Sequence, residues 1–62
     1  MGKKIRAYMK SRGWSNADLA RASRIQKSHV GWLVKDGSNP TVSTLKKLAA
    51  AFGVPAASLL VD

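Results

Sequence analysis

Cysteine is absent from this chain of 62 residues. Disulfides, thiolate metal sites and a cysteine nucleophile are therefore excluded, and so is a disulfide-stapled secreted scaffold. Histidine occurs once, at His29, which is too few for a histidine metal cluster, and the carboxylates number only three, Asp18, Asp36 and Asp62. The sequence has no carboxylate pair, no Ser-His-Asp set at a supporting spacing and no glycine-rich phosphate loop. We therefore predict neither an enzyme nor a metal or organic cofactor.

Long apolar runs are also missing. No segment is apolar over the length that a bilayer requires, and charges interrupt residues 1–12 throughout, unlike a signal peptide. Apolar residues nevertheless make up 45% of the chain, which suffices for one core and is too much for a disordered tail. We expect a single small domain over residues 1–62.

Acidic residues are scarce beside basic ones. Eleven Lys and Arg against three Asp give a formal net charge of +8. A small domain with this imbalance typically meets a polyanion. Nucleic acid is the first partner that the charge indicates, and an anionic membrane surface or an acidic protein is the second.

Apolar residues follow helical spacing between the glycines and prolines, with no period-2 alternation. We predict an all-α fold of five short helices, over about residues 3–12, 15–24, 26–35, 41–53 and 56–60. Ser15 and Thr41 are the predicted N-caps of the second and fourth helices. Gly13 and Gly53 are predicted to end the first and fourth.

The short connection between the second and third helices is the informative feature. Only about three residues, 24–26, join them. Ala20 is small enough to let the two helices cross closely, Ile25 is the apolar plug of the turn, and Val30 and Leu33 anchor the third helix from beneath. This pattern predicts a helix-turn-helix over about residues 15–35, in which the second helix of the motif is presented to the DNA major groove.

Flanking segments make the resemblance more specific. They are SNADLA at 15–20, the stretch 25–33, GSNPT at 37–41, TLKKLA at 44–49 and FGV at 52–54. In this order and spacing they resemble the Cro/C1-type (XRE-like) helix-turn-helix family of phage repressors and bacterial transcriptional regulators. The resemblance covers about residues 5–60. It implies a compact, lambda-repressor-like five-helix domain in the cytoplasm of a bacterial cell or a phage-infected host.

The function that the resemblance implies is sequence-specific binding of double-stranded operator DNA by a repressor, which binds as a homodimer on a two-fold symmetric site. We expect that dimer to be weak, with Leu59 pointing inward and Val54, Leu60 and Val61 left as a modest apolar edge. Neither a membrane nor a small-molecule ligand is inferred as a partner. An antitoxin-type protein-interaction module of the same fold is the alternative. A membrane-surface binder is a third reading, disfavoured because the apolar residues serve one globular core.

This chain departs from the family pattern at several positions. Arg24 stands where the family usually has a turn glycine. Either Arg24 adopts a left-handed conformation, at a cost of about 1 kcal/mol, or the turn has another shape. Met9 and Val34 stand where many relatives pair an Arg with a Glu, so we predict an apolar contact between them. One extra residue before Gly37 predicts a loop of different shape.

Outward positions of the third helix are the predicted contacts to DNA bases: Lys27, Ser28, Gly31 and Trp32. Lys suits guanine O6 and N7, Ser suits several bases, Gly permits close backbone approach, and Trp offers apolar area and an N–H donor. Phosphate or water is the alternative partner for Lys27 and Ser28. Simple tolerance of glycine is the alternative at Gly31. For Trp32 the alternatives are partial burial against the following loop or a protein contact.

Helix starts, turns and flanks supply the predicted phosphate contacts: Asn16, Arg24, His29, Lys35, Asn39 and Thr41. Turn formation alone explains Asn39 equally well. Trp14 is expected to pack over the first two helices as core. The basic run of the first helix, which consists of Lys3, Lys4, Arg6 and Lys10, is either a solvated face or partly directed at phosphates.

Overall fold

The computed structural model describes residues 2–35 and 37–60 and is all-helical over these ranges. Its five helices are α1 (Gly2–Arg12), α2 (Asn16–Ser23), α3 (Lys27–Leu33), α4 (Val42–Phe52) and α5 (Ala57–Leu60). The all-α prediction is confirmed, and the helix boundaries agree with the predicted ones to within one or two residues. The residues outside these ranges are Met1, Asp36, Val61 and Asp62. The prediction that Val61 belongs to the apolar edge therefore lies outside the described residues.

Local capping explains where the helices begin. At the start of α2 the Ser15 hydroxyl accepts from the Asp18 backbone N–H (3.2 Å), and Asp18 Oδ2 accepts from the Ser15 N–H (2.9 Å). This reciprocal pair is a capping box with Asp in the third helical position. At the start of α4 the Thr41 hydroxyl accepts from the Thr44 N–H (3.3 Å). The predicted N-caps are confirmed.

The helix ends follow from backbone conformation. Gly13 ends α1 with φ +68° and Gly53 ends α4 with φ +70°. Residues with a Cβ rarely adopt this left-handed region, so glycine terminates a helix there at low cost. Both predicted ends are confirmed.

One apolar core is shared by all five helices. Five side chains, Ile5, Leu19, Val30, Leu33 and Leu48, have no measurable exposure. The rest of the core consists of Met9, Ile25, Leu45, Ala49, Phe52 and Leu59. α4 supplies four of these residues, Leu45, Leu48, Ala49 and Phe52, and packs against α2 and α5.

Three aromatic rings join α1 to the end of α4. Phe52 stacks on Tyr8 (ring centroids 5.1 Å apart) and on Trp14 (5.6 Å). The Arg12 guanidinium lies 5.3–5.9 Å from all three centroids and donates to the Phe52 carbonyl oxygen (2.5 Å). The prediction of Trp14 as a core residue is therefore confirmed only in part, because Trp14 is half-buried against the core and its ring stacks on Phe52 of α4.

The C-terminal segment is more closely packed than its sequence suggested. Leu59 is buried and Leu60 is 61% exposed, both as predicted. Val54, by contrast, is only half exposed and packs against the core. The backbone N–H of Val54 donates to the Ala49 carbonyl (3.0 Å), which folds the chain back over the end of α4. Val54 is therefore not a fully exposed member of the predicted apolar edge.

Candidate nucleic-acid interface

The turn between α2 and α3 fixes the relation of the two helices. Arg24 has φ +60° and ψ +32°, and within the described ranges it is the only residue besides glycine with a positive φ. Of the two alternatives at this position, the structure has the left-handed one. Ile25 is 8% exposed and fills the turn from below, as predicted. α2 packs against both α3 and α4 and thereby connects α3 to the rest of the core.

Only one side of α3 is available to a partner. Val30 and Leu33 are fully buried and face the core. The outer face of α3 consists of the remaining residues of the helix, Lys27, Ser28, His29, Gly31 and Trp32, of which all but the half-buried Gly31 are exposed. At 100° per residue, Ser28 and Trp32 lie nearly opposite Val30 and Leu33. All four predicted base-contacting residues therefore lie together on one short helical surface.

Trp32 is the large apolar residue of that face. It is 46% exposed, so about half of its surface is available to a partner. The nearest ring is the His29 imidazole, whose centroid lies 5.8 Å away at an interplanar angle of 40°. His29 and Trp32 thus form an exposed aromatic pair one helical turn long, which offers contact area together with the N–H donors of both rings.

Gly31 lies on the same helix beside this aromatic pair, and the space where its side chain would be is open. A Cβ built on Gly31 meets no heavy atom within 4 Å, whereas a Cβ built on Gly2 would lie 2.0 Å from the Lys35 carbonyl oxygen. Gly31 also lacks the positive φ that explains Gly13, Gly37 and Gly53. Nothing within the described protein therefore requires glycine at this position.

The predicted phosphate contacts outside α3 are exposed residues of other segments. Asn16 is the first residue of α2, Arg24 lies in the turn, and Lys35 follows the end of α3; all three are exposed. Asn39 and Thr41 are also exposed and belong to the loop before α4. The Thr41 hydroxyl is already engaged in capping α4, which leaves its backbone N–H as the better anion donor.

Asp18 is the acidic residue of the helix-turn-helix. The hydrogen bond from the Ser15 backbone N–H is the largest of the effects that lower the pKa of this carboxyl, followed by the Ser15 hydroxyl and by Arg21. Arg21 Nη2 lies 2.5 Å from Asp18 Oδ1. The charge of this carboxylate is thus largely compensated by the helix start and by Arg21, and the basic character of the motif is preserved.

The C-terminal end of α3 is held by residues that sequence reasoning did not assign to it. The buried hydroxyl of Ser38 donates to the Leu33 carbonyl (2.7 Å). The guanidinium of Arg6 donates through Nη1 to the Val34 carbonyl. The sequence alone places Arg6 in the basic run of the first helix. One feature of the sequence could have indicated this contact. Arg6 precedes Met9 by one helical turn, and the family pattern pairs position 9 with position 34.

Met9 itself is buried, and Val34 is half-buried and packs against the same core. This arrangement agrees with apolar residues replacing the ion pair of many relatives. Direct contact between the two side chains stays a prediction.

Neither a membrane-crossing helix nor a metal-ion cluster occurs among the described residues. None of the helices in these ranges has the length and hydropathy to cross a membrane. No group of three or more His, Cys, Asp or Glu lies close enough together there to hold a metal ion.

Comparison with known proteins gives consistent results. A helix-turn-helix family model matches residues 5–59. The HTH-type transcriptional regulator SutR of Escherichia coli K12 is 37% identical over 51 residues, which cover 82% of this chain and 29% of SutR. The immunity repressor protein of Bacillus phage phi105 is 28% identical over 60 residues, which cover 97% of this chain and 42% of the repressor. A hypothetical transcription factor of Neisseria meningitidis serogroup B is 34% identical over 56 residues, which cover 90% of this chain and 53% of that protein.

The chain therefore spans between 29% and 53% of the length of these three relatives. No solved structure matches it with significant similarity. The family match, the relatives and the geometry of α2 and α3 lead to one conclusion: the chain belongs to the XRE-like helix-turn-helix family of DNA-binding transcriptional regulators.

Proposed function

We propose that this protein is a repressor that binds a specific sequence of double-stranded DNA and reads the major groove with α3. The observation that carries the proposal is the exposed outer face of α3, anchored by Val30 and Leu33 on a chain of net charge +8. The major groove of B-DNA is about 12 Å wide, which admits one α-helix with its side chains. The matching phage protein is an immunity repressor, which supports repression as the outcome of binding.

Base contacts are assigned to Lys27, Ser28, Gly31 and Trp32. Lys27 is the first residue of α3, so its amine extends beyond the helix start toward guanine O6 or N7. Ser28 lies one turn before Trp32 on the same side of the helix. The small Ser28 and Gly31 allow the backbone of α3 to approach the bases closely, and the indole of Trp32 then covers the adjoining base edges or thymine methyl groups.

Phosphate contacts are assigned to Asn16, Arg24, His29, Lys35, Asn39 and Thr41. His29 lies on α3 itself, and the others lie at the start of α2, in the turn or in the segment between α3 and α4. Phosphate contacts from these segments would fix the register of α3 in the groove. The backbone N–H groups at the start of α2, next to Asn16, add partial positive charge there.

Dimerisation on a two-fold symmetric operator completes the proposal. Leu60 is 61% exposed on α5, at the end of the chain farthest in sequence from the motif. Such a small apolar contact falls well short of the roughly 1,200 Å² of a stable interface, so we expect a monomer that pairs on DNA. Half-sites would then be separated by one helical turn, about 34–36 Å.

Selection of bound duplexes from a random pool tests this function directly. We expect enrichment of a two-fold symmetric sequence, and an insertion of five base pairs between the half-sites should abolish cooperativity because it rotates one half-site to the opposite side of the duplex. Failure to enrich any sequence would contradict the proposal and favour the protein-interaction module. Unchanged affinity and stoichiometry after the insertion would contradict only the dimer.

Variants of Lys27 and Lys46 then distinguish recognition of bases from general electrostatic attraction to DNA. Lys27→Ala should lose about 1–3 kcal/mol on the selected sequence and relax the preference at one base pair. Lys46→Ala removes the same charge from an exposed position of α4 and should not alter base preference. If Lys27→Ala weakens binding to all duplexes equally, Lys27 contacts phosphate and its assignment to a base is wrong.

A further inference from the structure

The C-terminal end of α3 is held from outside the helix-turn-helix. α3 has only seven residues, about two turns, so interactions at its ends have a large share in fixing its direction. The last carbonyl groups of any helix lack partners within it and carry partial negative charge. At this end the guanidinium of Arg6, which lies 28 residues earlier in the chain, donates to the Val34 carbonyl.

The backbone of α1 lies against the same end. A Cβ on Gly2 would come within 2.0 Å of the Lys35 carbonyl oxygen, so glycine is required for this close approach. Gly2 and Arg6 are one turn apart on α1, and both face the segment that leaves α3. The start of α1 and the end of α3 therefore meet as two backbones, with the Arg6 side chain joining them.

We propose that Arg6 is a positioning residue for DNA recognition, which sets the angle of α3 by holding its C-terminal carbonyl end against α1. The proposal rests on the proposed function for its DNA part. It gives Arg6 a task different from that of a solvated or phosphate-binding cation of the basic run. Arg12 shows the same chemistry elsewhere in the chain, since its guanidinium donates to the Phe52 carbonyl at the end of α4.

The position of Arg6 predicts which measurements a substitution will change. Arg6 is exposed, so its removal should leave the fold intact. A positioning residue affects binding only where α3 must match bases, whereas a phosphate ligand contributes to every duplex. Loss of one phosphate contact also lowers the slope of log K against log salt by about 0.9. The affinity for selected DNA, the affinity for random DNA and the salt slope together distinguish the two roles.

The test compares Arg6→Met and Arg6→Lys with Lys10→Met. Arg6→Met keeps an apolar stem and removes the donor, and Arg6→Lys restores a charged donor. Lys10→Met removes the same charge from another exposed position of α1. For each variant, amide hydrogen exchange is measured on the free protein, and affinity is measured by fluorescence anisotropy on the selected and on random duplexes over a range of salt.

We expect Arg6→Met to speed exchange at the Val34 and Lys35 amides about three- to tenfold, as expected for loss of a charge interaction at a helix end. Affinity for the selected duplex should fall by a similar factor, while affinity for random DNA and the salt slope stay unchanged. Arg6→Lys should restore most of both losses, and Lys10→Met should not change exchange at these amides.

Unchanged exchange in Arg6→Met would overturn the proposal, and so would an equal loss on both duplexes together with a lower salt slope. If the wild-type protein shows no sequence preference, the proposed function fails, and the role of Arg6 in recognition fails with it. The exchange data, which need no DNA, would still decide whether Arg6 holds the end of α3.

Discussion

Gly31→Ala should change the stability of the protein and its affinity for DNA in opposite directions. Gly31 is the fifth of the seven residues of α3, so it occupies a helix interior, where glycine is less favourable than alanine by about 0.8–1 kcal/mol. Apart from the backbone of α3 and the two neighbouring residues, the new methyl group would meet no protein atom within 4 Å. We therefore expect the variant to be more stable by about 1 kcal/mol, which raises the melting temperature of a domain of this size by about 4–8 °C.

Binding should change in the opposite direction. If the backbone of α3 approaches base edges at Gly31, the added methyl group occupies space that the DNA needs. Inserting one methyl group into a close-packed contact costs about 1–3 kcal/mol, and every 1.4 kcal/mol is a factor of ten in affinity. We expect the affinity for the selected duplex to fall about five- to hundredfold, with little change on random DNA.

Thermal unfolding followed by circular dichroism and fluorescence anisotropy with the two duplexes give the two quantities. Ala50→Gly, at an exposed position within α4, calibrates the stability scale: it should lose about 1 kcal/mol and leave DNA affinity unchanged. A more stable Gly31→Ala that retains full specific affinity would refute a close approach of DNA at this position. A less stable variant would refute the assignment of position 31 to an open helix interior.

Three further substitutions probe the motif. Arg24→Gly should relieve backbone strain and stabilise the protein by up to about 1 kcal/mol in thermal unfolding. If Arg24 contacts a phosphate, the variant should also lower the slope of log K for DNA binding against log salt by about 0.9. A less stable variant would mean that other contacts of Arg24 compensate for the strain. Because folding lowers the pKa of Asp18, its carboxylate stabilises the folded state above the unfolded pKa, near pH 4, and this stabilisation disappears as the pH falls through the folded value. Asp18→Asn should thus melt lower than wild type at pH 7, by a difference that shrinks as the pH falls below about 4. A difference that does not change with pH would contradict the capping role. Val34→Glu should cost about 1–3 kcal/mol in denaturant unfolding, since Val34 is half-buried, and adding Met9→Arg should recover part of that loss; simple additivity of the two changes would show that the positions are not paired.

The start of α2 and the end of α4 show how much of the fold could be predicted. Ser15 and Asp18 form their capping box three residues apart, and Gly53 ends its helix by its own backbone conformation. Such interactions are local, so the sequence pattern contains all that determines them. Burial of Val30 and Leu33 followed from their spacing, and with it the outer face of α3 on which the predicted base contacts lie.

Family resemblance made the helix-turn-helix prediction more specific, and with it the prediction that this face is directed toward DNA. The order and spacing of several short segments identified the family, and the family match over residues 5–59 confirms it. Which of the exposed residues contact bases and which contact phosphates depends on how a duplex lies on the surface. For that reason these assignments stay predictions.

Tertiary structure alone decided the roles of the two arginines of α1. The sequence showed Arg6 and Arg12 as cations on a helix, but their acceptors are the carbonyl groups of Val34 and Phe52, which lie 28 and 40 residues later. It also decided between the two conformations left open at Arg24, because the turn is fixed by the packing of Ile25 beneath it. Contacts over such distances leave no period in the sequence, since they exist only once the helices have packed and brought the end of one beside the face of another.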